Sequence, residues 1–539
     1  MRAVEIVLGL VVLAAVVATL AHRLRAPAPS LLVLAGLLVG LVPGVPSFTV
    51  SPEVVSLVVL PPLIYAAAAD VALPELRAVL RPVAVLAVGL VAASAAAVAV
   101  VVHLLVPQVP LAPAFVLGAV LASTDPVAVS ALARRLRLPP RMLALVLGES
   151  LFNDATSLVL FRVAVTVSVS AGAIGASDVA LRFLWLGGGG AVAGLLVAVL
   201  VEQLRRRTED AVLETLMALV TPFAAFVGAE VLHASGVTAV VVAGLWLGGR
   251  SVRLSSGPVR LQIENAYAVV VFLLESVVFA VIGLQFPTLV RALPPGERGF
   301  IGVALVVAAV LLLVRVAWIS PQAYLPRLLR LASRRDASPV PAWRGVAVVW
   351  WAGARGVVPL AAALSIPLTV SGGGPFPERD LLLVLATSCI ILTLVVQGLT
   401  LQPLVRRLGV ADDPARAERE EAVARYAVAV AARARMEELL GLESVPPAVA
   451  DRLLRGLDQQ VDRSRARLQA ADGATVTGDG GAAAGERTST GRAYRDLRRD
   501  LLMVETAELT RLRDSGTISE DVRRRVQRAL DLEETGLGD

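Results

Sequence analysis

Long apolar runs follow one another through most of the chain, and they limit its fold more than any other feature. A helix that crosses a bilayer needs about 20 mainly apolar residues, and about thirteen runs approach that length. They lie near residues 3–21, 30–46, 53–70, 82–106, 111–133, 142–168, 177–202, 212–232, 236–249, 264–286, 299–319, 345–370 and 381–404. The runs predict an all-α polytopic membrane domain over residues 1–405. Those near 30–46 and 236–249 are short and glycine-rich, so we expect neighbouring helices to cover them.

The composition changes after this domain. Across the whole chain 56% of residues are hydrophobic and 17% are charged, which excludes an ordinary soluble domain and a disordered chain. Residues 406–539 are densely charged and predict a cytoplasmic tail. Helical spacing of apolar residues predicts helices over 412–470 and 493–535. The stretch 471–492 is rich in Ala, Gly and Thr and predicts a flexible link.

The arginines indicate how the domain is oriented. The chain has no lysine, so arginine supplies the positive side of its net charge of +6. Arginines cluster in every odd-numbered loop between the runs, whereas the even-numbered loops hold only Arg291, Arg298 and Arg379. Arginine prefers the cytoplasmic side of a membrane. We therefore predict an outside N-terminus and a cytoplasmic tail in a bacterial inner membrane, and no nucleic-acid partner is needed to explain the charge.

Other chemistries find little support in the sequence. Cys389 is the single cysteine and lies in an apolar run, which excludes a disulfide framework and a metal–cysteine site. His22, His103 and His233 are scattered, and no P-loop is present. We therefore expect no cofactor, no ATP-driven transport and no enzymatic activity.

Ionisable residues deep in a membrane span are costly and indicate function. The first cluster runs from Ser123 to Pro126, in the middle of an apolar run. Pro126 lacks an N–H and its ring clashes with the Ala122 carbonyl, so the helix must loosen there. Freed carbonyls, the Thr124 hydroxyl and the Asp125 carboxylate are oxygen donors that suit a small dehydrated cation. A proline kink with Asp125 capping the next half-helix is the alternative.

The second cluster lies on one predicted helix. At 100° per residue, one face carries two carboxylates, an amide and two hydroxyls. They are Glu149, Ser150, Asn153, Asp154 and Ser157. A carboxylate there can coordinate a cation when ionised and carry a proton when neutral. We interpret this face as the wall of an ion pathway rather than as a buried structural network.

The third cluster surrounds Arg355, which Gly353, Gly356 and Pro359 flank. It predicts a second interrupted span, and interrupted spans in two halves of a membrane protein indicate a secondary-transporter site. Arg355 needs an acidic partner, for which Glu149 and Asp154 are the candidates. Glu149 is preferred because Asp154 must be free to exchange ligands. Five further charged residues lie nearer predicted span ends, where long side chains can reach the interface: Arg162, Arg182, Glu230, Glu275 and Arg315.

Taken in order, these motifs resemble the first branch of the monovalent cation:proton antiporter family, which holds bacterial and archaeal sodium/proton antiporters and animal sodium/hydrogen exchangers. The resemblance covers roughly residues 1–405. Matching runs lie at 60–64, 122–129, 148–155, 353–356 and 396–400. Many members carry an acidic residue near the position of Ala66, where this chain has alanine.

The resemblance implies about thirteen helices with inverted repeats, two crossed broken helices, a homodimer and alternating access. It implies that Asp154 binds sodium, or a related monovalent cation such as lithium or potassium, and that protons compete for the same carboxylate. Thr124 and Ser150 would complete the cation site, with Asp125 and Asn153 in support. Asn153 beside Asp154 is similar to the electroneutral branch.

The resemblance further implies a structural ion pair between Glu149 and Arg355, and a role in pH homeostasis. A potassium-preferring or broad-selectivity exchanger is the nearest alternative, because oxygen ligands are common to all these cations and selectivity depends on cavity size. An ion channel is a less favoured reading, because paired broken helices with a titratable carboxylate favour exchange. An intramembrane aspartyl protease would need a glycine-rich aspartate motif that the sequence lacks.

Overall fold

The computed structural model describes residues 2–24, 26–43, 52–125, 138–169, 175–208, 210–294, 299–332, 343–370, 373–410, 414–441, 447–471 and 490–537. It forms two compact units. One unit comprises Met1–Arg250 with Asn265–Ala411, and the other comprises Ser251–Glu264 with Asp412–Asp539. Within the described residues the regular structure is helical, apart from one isolated bridge between Thr369 and Pro375.

The first unit is built from apolar helices. They are α1 (Arg2–Leu24), α2 (Ala28–Gly40), α3 (Leu60–Ala69), α4 (Leu73–Ala84), α5 (Val91–Leu105), α6 (Leu111–Leu121), α7 (Pro140–Val169), α8 (Ala176–Arg205), α9 (Ala211–Val231), α10 (Gly236–Gly248), α11 (Gly257–Ala292, whose first residues belong to the second unit), α12 (Phe300–Ala332), α13 (Trp343–Trp351), α14 (Val357–Leu364) and α15 (Arg379–Leu408).

Seven described stretches are long and apolar enough to cross a membrane. They are Leu73–Leu105, Arg141–Val169, Ser177–Arg205, Ala211–Val231, Gly257–Ala292, Phe300–Tyr324 and Arg379–Leu408. Helices satisfy their own backbone hydrogen bonds, which is why apolar runs of this length adopt them in hydrocarbon. The all-α multi-pass class predicted from the sequence is confirmed, whereas a total of thirteen spans stays a prediction.

Two irregularities in the helices follow from the sequence. Pro61 and Pro62 lie in the first turn of α3, and a π-helical turn, Val55–Val59, directly precedes this helix. A proline has no N–H to donate to the carbonyl four residues earlier, and its ring clashes with that carbonyl. The wider π-helical turn gives the ring more room. A second π-helical turn, Val85–Leu90, joins α4 to α5 within one continuous helical stretch.

The two short glycine-rich helices lie directly against other helix backbones, as expected. A Cβ atom on Gly36 of α2 would fall 2.0 Å from the Ala280 carbonyl oxygen of α11. A Cβ atom on Gly248 of α10 would fall 2.4 Å from the Ala69 carbonyl oxygen of α3. Glycine is therefore required at both crossings, because any side chain would push the helices apart.

Packing sorts most helices of the first unit into two groups. The core bundle comprises α4, α5, α6, α7, α12, α13, α14 and α15, and the panel comprises α3, α8, α9 and α10. Helix α7 is the member of the core bundle that packs along the panel, against α8 and α10. Two of the carboxylates predicted from the sequence, Glu149 and Asp154, lie on α7.

The second unit contains the charged helices α16 (Pro414–Gly441), α17 (Pro447–Ala471), α18 (Thr490–Asp514) and α19 (Glu520–Gly536). Apolar side chains such as Val428, Leu509 and Val526 form a small core between them. Most of the predicted link 471–492 lies outside the described residues.

The short segment Ser251–Glu264 belongs to the second unit although the sequence places it between two apolar runs. The Arg260 guanidinium contacts both carboxylate oxygens of Asp531, and the Gly257 N–H donates to Glu534 Oε2 at 2.9 Å. This attachment could not be predicted from the sequence, because neither Arg260 nor Asp531 stands out among the many charged residues near it.

Candidate functional site

The predicted polar face of α7 is buried. Glu149, Ser150, Asn153 and Ser157 are each 2% exposed or less, and Asp154 is 7% exposed. A helix period of 3.6 residues places these side chains on one side of α7, as predicted. In this structure the face lies against the end of α6, where the Ser157 hydroxyl donates to the Ala119 carbonyl at 2.7 Å. The face is thus in contact with protein rather than with an open channel.

The backbone after α6 supplies the opposite wall of the site. Helix α6 ends at Leu121, and Ser123, Thr124 and Asp125 are not helical. The predicted loosening is therefore observed as far as Asp125, while Pro126 lies outside the described residues. Because the helical ladder stops here, the carbonyl and N–H groups of these residues are available to side chains of α7.

Three side chains of α7 bind residues of this segment, two of them through its backbone. Asn153 Nδ2 donates to the Thr124 hydroxyl at 2.7 Å, and the Thr124 N–H donates to Asn153 Oδ1 at 3.4 Å. The Ser150 hydroxyl donates to the Thr124 carbonyl. The Ser123 hydroxyl donates to Asp154 Oδ1. Ser123 belongs to the predicted motif but had no predicted role, and its hydroxyl contacts the Asp154 carboxylate.

The second predicted interruption meets the first. Helix α13 ends at Trp351, residues Ala352–Gly356 are not helical, and α14 begins at Val357. Gly353 and Gly356 lie in this gap, and Pro359 is the third residue of α14. The Asp125 N–H donates to the Ala354 carbonyl at 2.7 Å, which joins the two interruptions directly.

Asp125 lies at the start of α14. A Cβ atom on Gly356 would fall 1.5 Å from Asp125 Oδ2, so the carboxylate occupies the space that any side chain at position 356 would need. A negative charge beside the first turn of a helix is favourable because the exposed N–H groups there are partly positive.

The predicted pair between Glu149 and Arg355 is replaced by a different one. Glu149 pairs with Arg315 of α12 through both carboxylate oxygens, one of them 2.8 Å from Nη2. Arg355 instead donates from Nε to the Leu121 carbonyl at 3.1 Å and from Nη1 to the Gly353 carbonyl. Arg355 thus ties the two interruptions together through carbonyl groups that the broken helices leave open.

Arg315 is the residue that sequence reasoning misjudged. Its position near the end of a predicted run suggested that it reaches the interface, yet its side chain is only 3% exposed. The run continues in a helix to Ala332, which places Arg315 well inside α12. Ser123 and Thr393 were also not assigned; the Thr393 hydroxyl accepts the Arg355 N–H at 3.3 Å.

The assembled site offers oxygen atoms around one carboxylate. The hydroxyls of Ser123, Thr124 and Ser150, the Asn153 amide and the Asp154 carboxylate meet within two contacting elements. Hard oxygen donors of this kind suit small cations. Among the described residues no group of three or more His, Cys, Asp and Glu is placed to hold a metal ion.

A family model described as "Sodium/hydrogen exchanger, transmembrane" matches residues 11–407. The chain belongs to the sodium/hydrogen exchanger family. The match spans the helices that carry the site, from α1 to the end of α15. The resemblance inferred from the motifs is thereby confirmed, and membership places this multi-pass membrane protein among transporters.

Curated members of the family extend the comparison. The chain is 36% identical to "Uncharacterized Na(+)/H(+) exchanger Rv2287" of Mycobacterium tuberculosis, over 99% of this chain and 97% of that protein. It is 32% identical to the "Sodium, potassium, lithium and rubidium/H(+) antiporter" of Bacillus subtilis, over 70% of this chain and 57% of that protein. Similarity to the first relative therefore includes the charged tail.

A solved structure of the family supports the fold. The structure of the sodium proton antiporter MjNhaP1 from Methanocaldococcus jannaschii matches with a TM-score of 0.61 at 20% sequence identity. The match covers 76% of this chain and 99% of the other. At this identity the likeness concerns the arrangement of helices alone.

Proposed function

We propose that this protein exchanges sodium, or a related monovalent cation, for protons by alternating access at Asp154. The observation that carries the proposal is the position of this carboxylate. It is buried in a membrane helix, faces interrupted backbone and lies among hydroxyl and amide oxygens. A single carboxylate that binds either a cation or a proton couples the two fluxes, because occupation by one excludes the other.

The surrounding residues would divide the remaining tasks. Thr124, Ser150 and Asp125 would contribute to cation binding, and Asn153 would hold the interrupted backbone in place. Since Asn153 carries no charge, one proton would leave for each monovalent cation, and exchange would be electroneutral. Glu149 would serve structure rather than transport.

Selectivity for sodium over potassium is the second question. The Bacillus relative is named for four cations, and the oxygen donors of this site would suit each of them. Exchange should therefore be measured with sodium, lithium, potassium and rubidium in turn. A passive cation flux that needs no opposite proton movement would favour a channel instead.

We also propose the setting in which exchange occurs. The chain would lie in the bacterial inner membrane as a homodimer, with its N-terminus outside and its charged tail in the cytoplasm, and would serve pH homeostasis. The alternation of arginines between loops supports this orientation.

The test is the substitution Asp154→Asn, which keeps the shape of the side chain and removes its charge. We expect cation-dependent proton movement in sealed vesicles to fall to the background of empty vesicles, while the protein stays folded. Asp178→Asn is the matched control, because Asp178 lies in the first turn of α8 with no part in the site. Normal exchange by folded Asp154→Asn protein would exclude Asp154 as the shared carboxylate.

A further inference from the structure

A second Arg–Glu pair near the site joins the two helix groups of the first unit. Arg162 of α7 donates from Nη2 to Glu230 Oε1 of α9 at 2.5 Å. The Arg162 Nη1 also lies 3.5 Å from the Ala234 carbonyl oxygen. Helix α7, which also carries Asp154, belongs to the core bundle and α9 belongs to the panel, so this pair bridges the two groups.

The panel side of this contact is firmly held. Glu230 Oε1 also accepts the N–H of Gly236, the first residue of α10, at 3.2 Å. The turn between α9 and α10 is fixed further by the Ser235 N–H, which donates to the Leu186 carbonyl of α8 at 3.0 Å. Arg162 therefore binds the panel at the point where α8, α9 and α10 meet. Movement of α7 against the panel would carry Arg162 away from this point.

The core side of the contact is the site helix itself. Arg162 lies eight residues after Asp154 on α7, which is about 12 Å along the axis. The rotation between them is about 80°, so the two side chains point to neighbouring faces. A displacement of α7 against the panel would stretch or break the contact at Arg162.

The exposure of the two Arg–Glu pairs on α7 separates their roles. Glu149 and Arg315 are 2% and 3% exposed and lie within the core bundle. Arg162 and Glu230 are 37% and 34% exposed and lie between the groups. A buried pair is costly to separate because each partner becomes an unpaired buried charge. A partly exposed pair separates easily because solvent replaces the partner.

We propose that Arg162 and Glu230 form a latch that closes the approach to Asp154 from their end of α7 and opens when α7 moves against the panel. The proposal rests on alternating access as proposed above, and it assigns a gating role to two residues outside the cation site. In the structure described here the latch is closed.

Cross-linking tests whether the latch must open. Cys389 is replaced by serine, and Arg162→Cys and Glu230→Cys are introduced together. A short bifunctional methanethiosulfonate reagent joins the two cysteines. We expect cross-linking to reduce cation/proton exchange at least tenfold and reduction of the link to restore it. The control joins Glu508→Cys to Arg511→Cys, which are ion-paired within α18 and span no boundary between the core bundle and the panel. Full exchange by the cross-linked protein would overturn the proposal.

Labelling tests the same point without transport. Thr156→Cys in the Cys389→Ser background places a thiol on α7 between Asp154 and Arg162. Its reaction with a membrane-impermeant thiol reagent is measured from each side of the membrane. Adding Arg162→Gln or Glu230→Gln should raise labelling from the latch side about fivefold relative to the other side. Exchanging the two charges, with Arg162→Glu and Glu230→Arg together, should return the ratio of labelling from the two sides towards its original value. The control Arg206→Gln should leave this ratio unchanged.

If labelling were unchanged in both folded Gln variants, the pair would serve only to anchor the structure, and the proposal of a latch would be wrong. These outcomes differ from failure of the proposed function. Loss of the latch would leave exchange dependent on Asp154, whereas absence of any exchange by the unmodified protein would exclude antiport itself.

Discussion

At the residue scale, the chemistry of the site depends on which charges meet inside the first unit. Three charged or polar groups of α7 have different neighbours although they lie within two turns. Asp154 accepts a hydrogen bond from the Ser123 hydroxyl, and Glu149 forms an ion pair with Arg315. Asn153 is hydrogen-bonded to the N–H and the hydroxyl of Thr124. Only the first of these arrangements leaves a carboxylate without an arginine contact at hydrogen-bonding distance among the described residues, which supports the proposal that Asp154 is the carrier.

The pairing of Glu149 with Arg315 gives a prediction about stability. Glu149→Gln and Arg315→Gln should each lower the free energy of unfolding by about 3–5 kcal/mol, because each leaves an unpaired buried charge. The double variant should lose clearly less than the sum of the two single losses. A double-mutant cycle on thermal unfolding in detergent measures the coupling.

Arg355 provides the control for this cycle. It binds the carbonyls of Leu121 and Gly353, and no contact with Glu149 at hydrogen-bonding distance occurs in the structure. The losses in the free energy of unfolding caused by Glu149→Gln and Arg355→Gln should therefore be closer to additive than the losses in the first cycle. Strong coupling of Glu149 to Arg355, together with simple additivity for Arg315, would contradict the observed pairing and restore the pairing predicted from the sequence.

At the element scale, two interrupted helices position the site by contacting each other. The Ala354 carbonyl accepts the Asp125 N–H, and the Asp125 carboxylate fills the space above Gly356. A continuous helix would satisfy these backbone groups internally and offer none to a neighbour. The interruptions thus make a polar crossing possible where membrane helices otherwise present only apolar side chains.

The contact between Asp125 and Gly356 yields a prediction for this crossing. Gly356→Ala should displace the Asp125 carboxylate, because the new methyl group would coincide with Oδ2. Overpacking of this kind typically costs about 1–3 kcal/mol. We expect a lower thermal stability and a rise in the cation concentration needed for half-maximal exchange.

Gly302→Ala is the control, since a Cβ atom on Gly302 of α12 would meet nothing within 4 Å. It should leave both quantities close to those of the unmodified protein. If Gly356→Ala behaved in the same way, the close approach of Asp125 to Gly356 would not be needed for cation binding.

At the scale of the whole molecule, the division of the first unit into a core bundle and a panel supports the alternating access proposed above. The carboxylate lies on α7, the helix of the bundle that packs along the panel. Movement of the bundle against the panel would carry Asp154 with it and change the side from which ions approach. The second unit is held together by its own apolar core and includes the segment Ser251–Glu264.

The charge balance of the transport cycle predicts its response to voltage. One proton exchanged for one monovalent cation moves no net charge, so the rate should not depend on membrane potential. Sodium-driven proton movement is measured in vesicles whose potential is set by potassium gradients and valinomycin, and the rate of Asp154→Asn vesicles is subtracted. A rate that rises steeply with potential would indicate a second proton carrier, for which Asp125 and Glu275 would be examined first.

Much of the architecture could be read from the sequence, because it follows from local properties of the chain. Apolar runs of sufficient length must form helices in a membrane, and this placed the helices of the first unit close to where they are observed. Proline and glycine located the interruptions near Asp125 and Arg355. Spacing on one helix placed Glu149, Asn153 and Asp154 on a common face.

Contacts between distant parts of the chain were decided by the tertiary structure. Arg315 and Arg355 carry the same charge, and no local pattern tells which of them reaches Glu149. The same holds for the pair of Arg162 with Glu230 and for the attachment of Ser251–Glu264 within the second unit. The physical reason is that an ion pair depends on the distance between side chains that packing brings together, whereas a helix depends on hydrogen bonds between residues four apart.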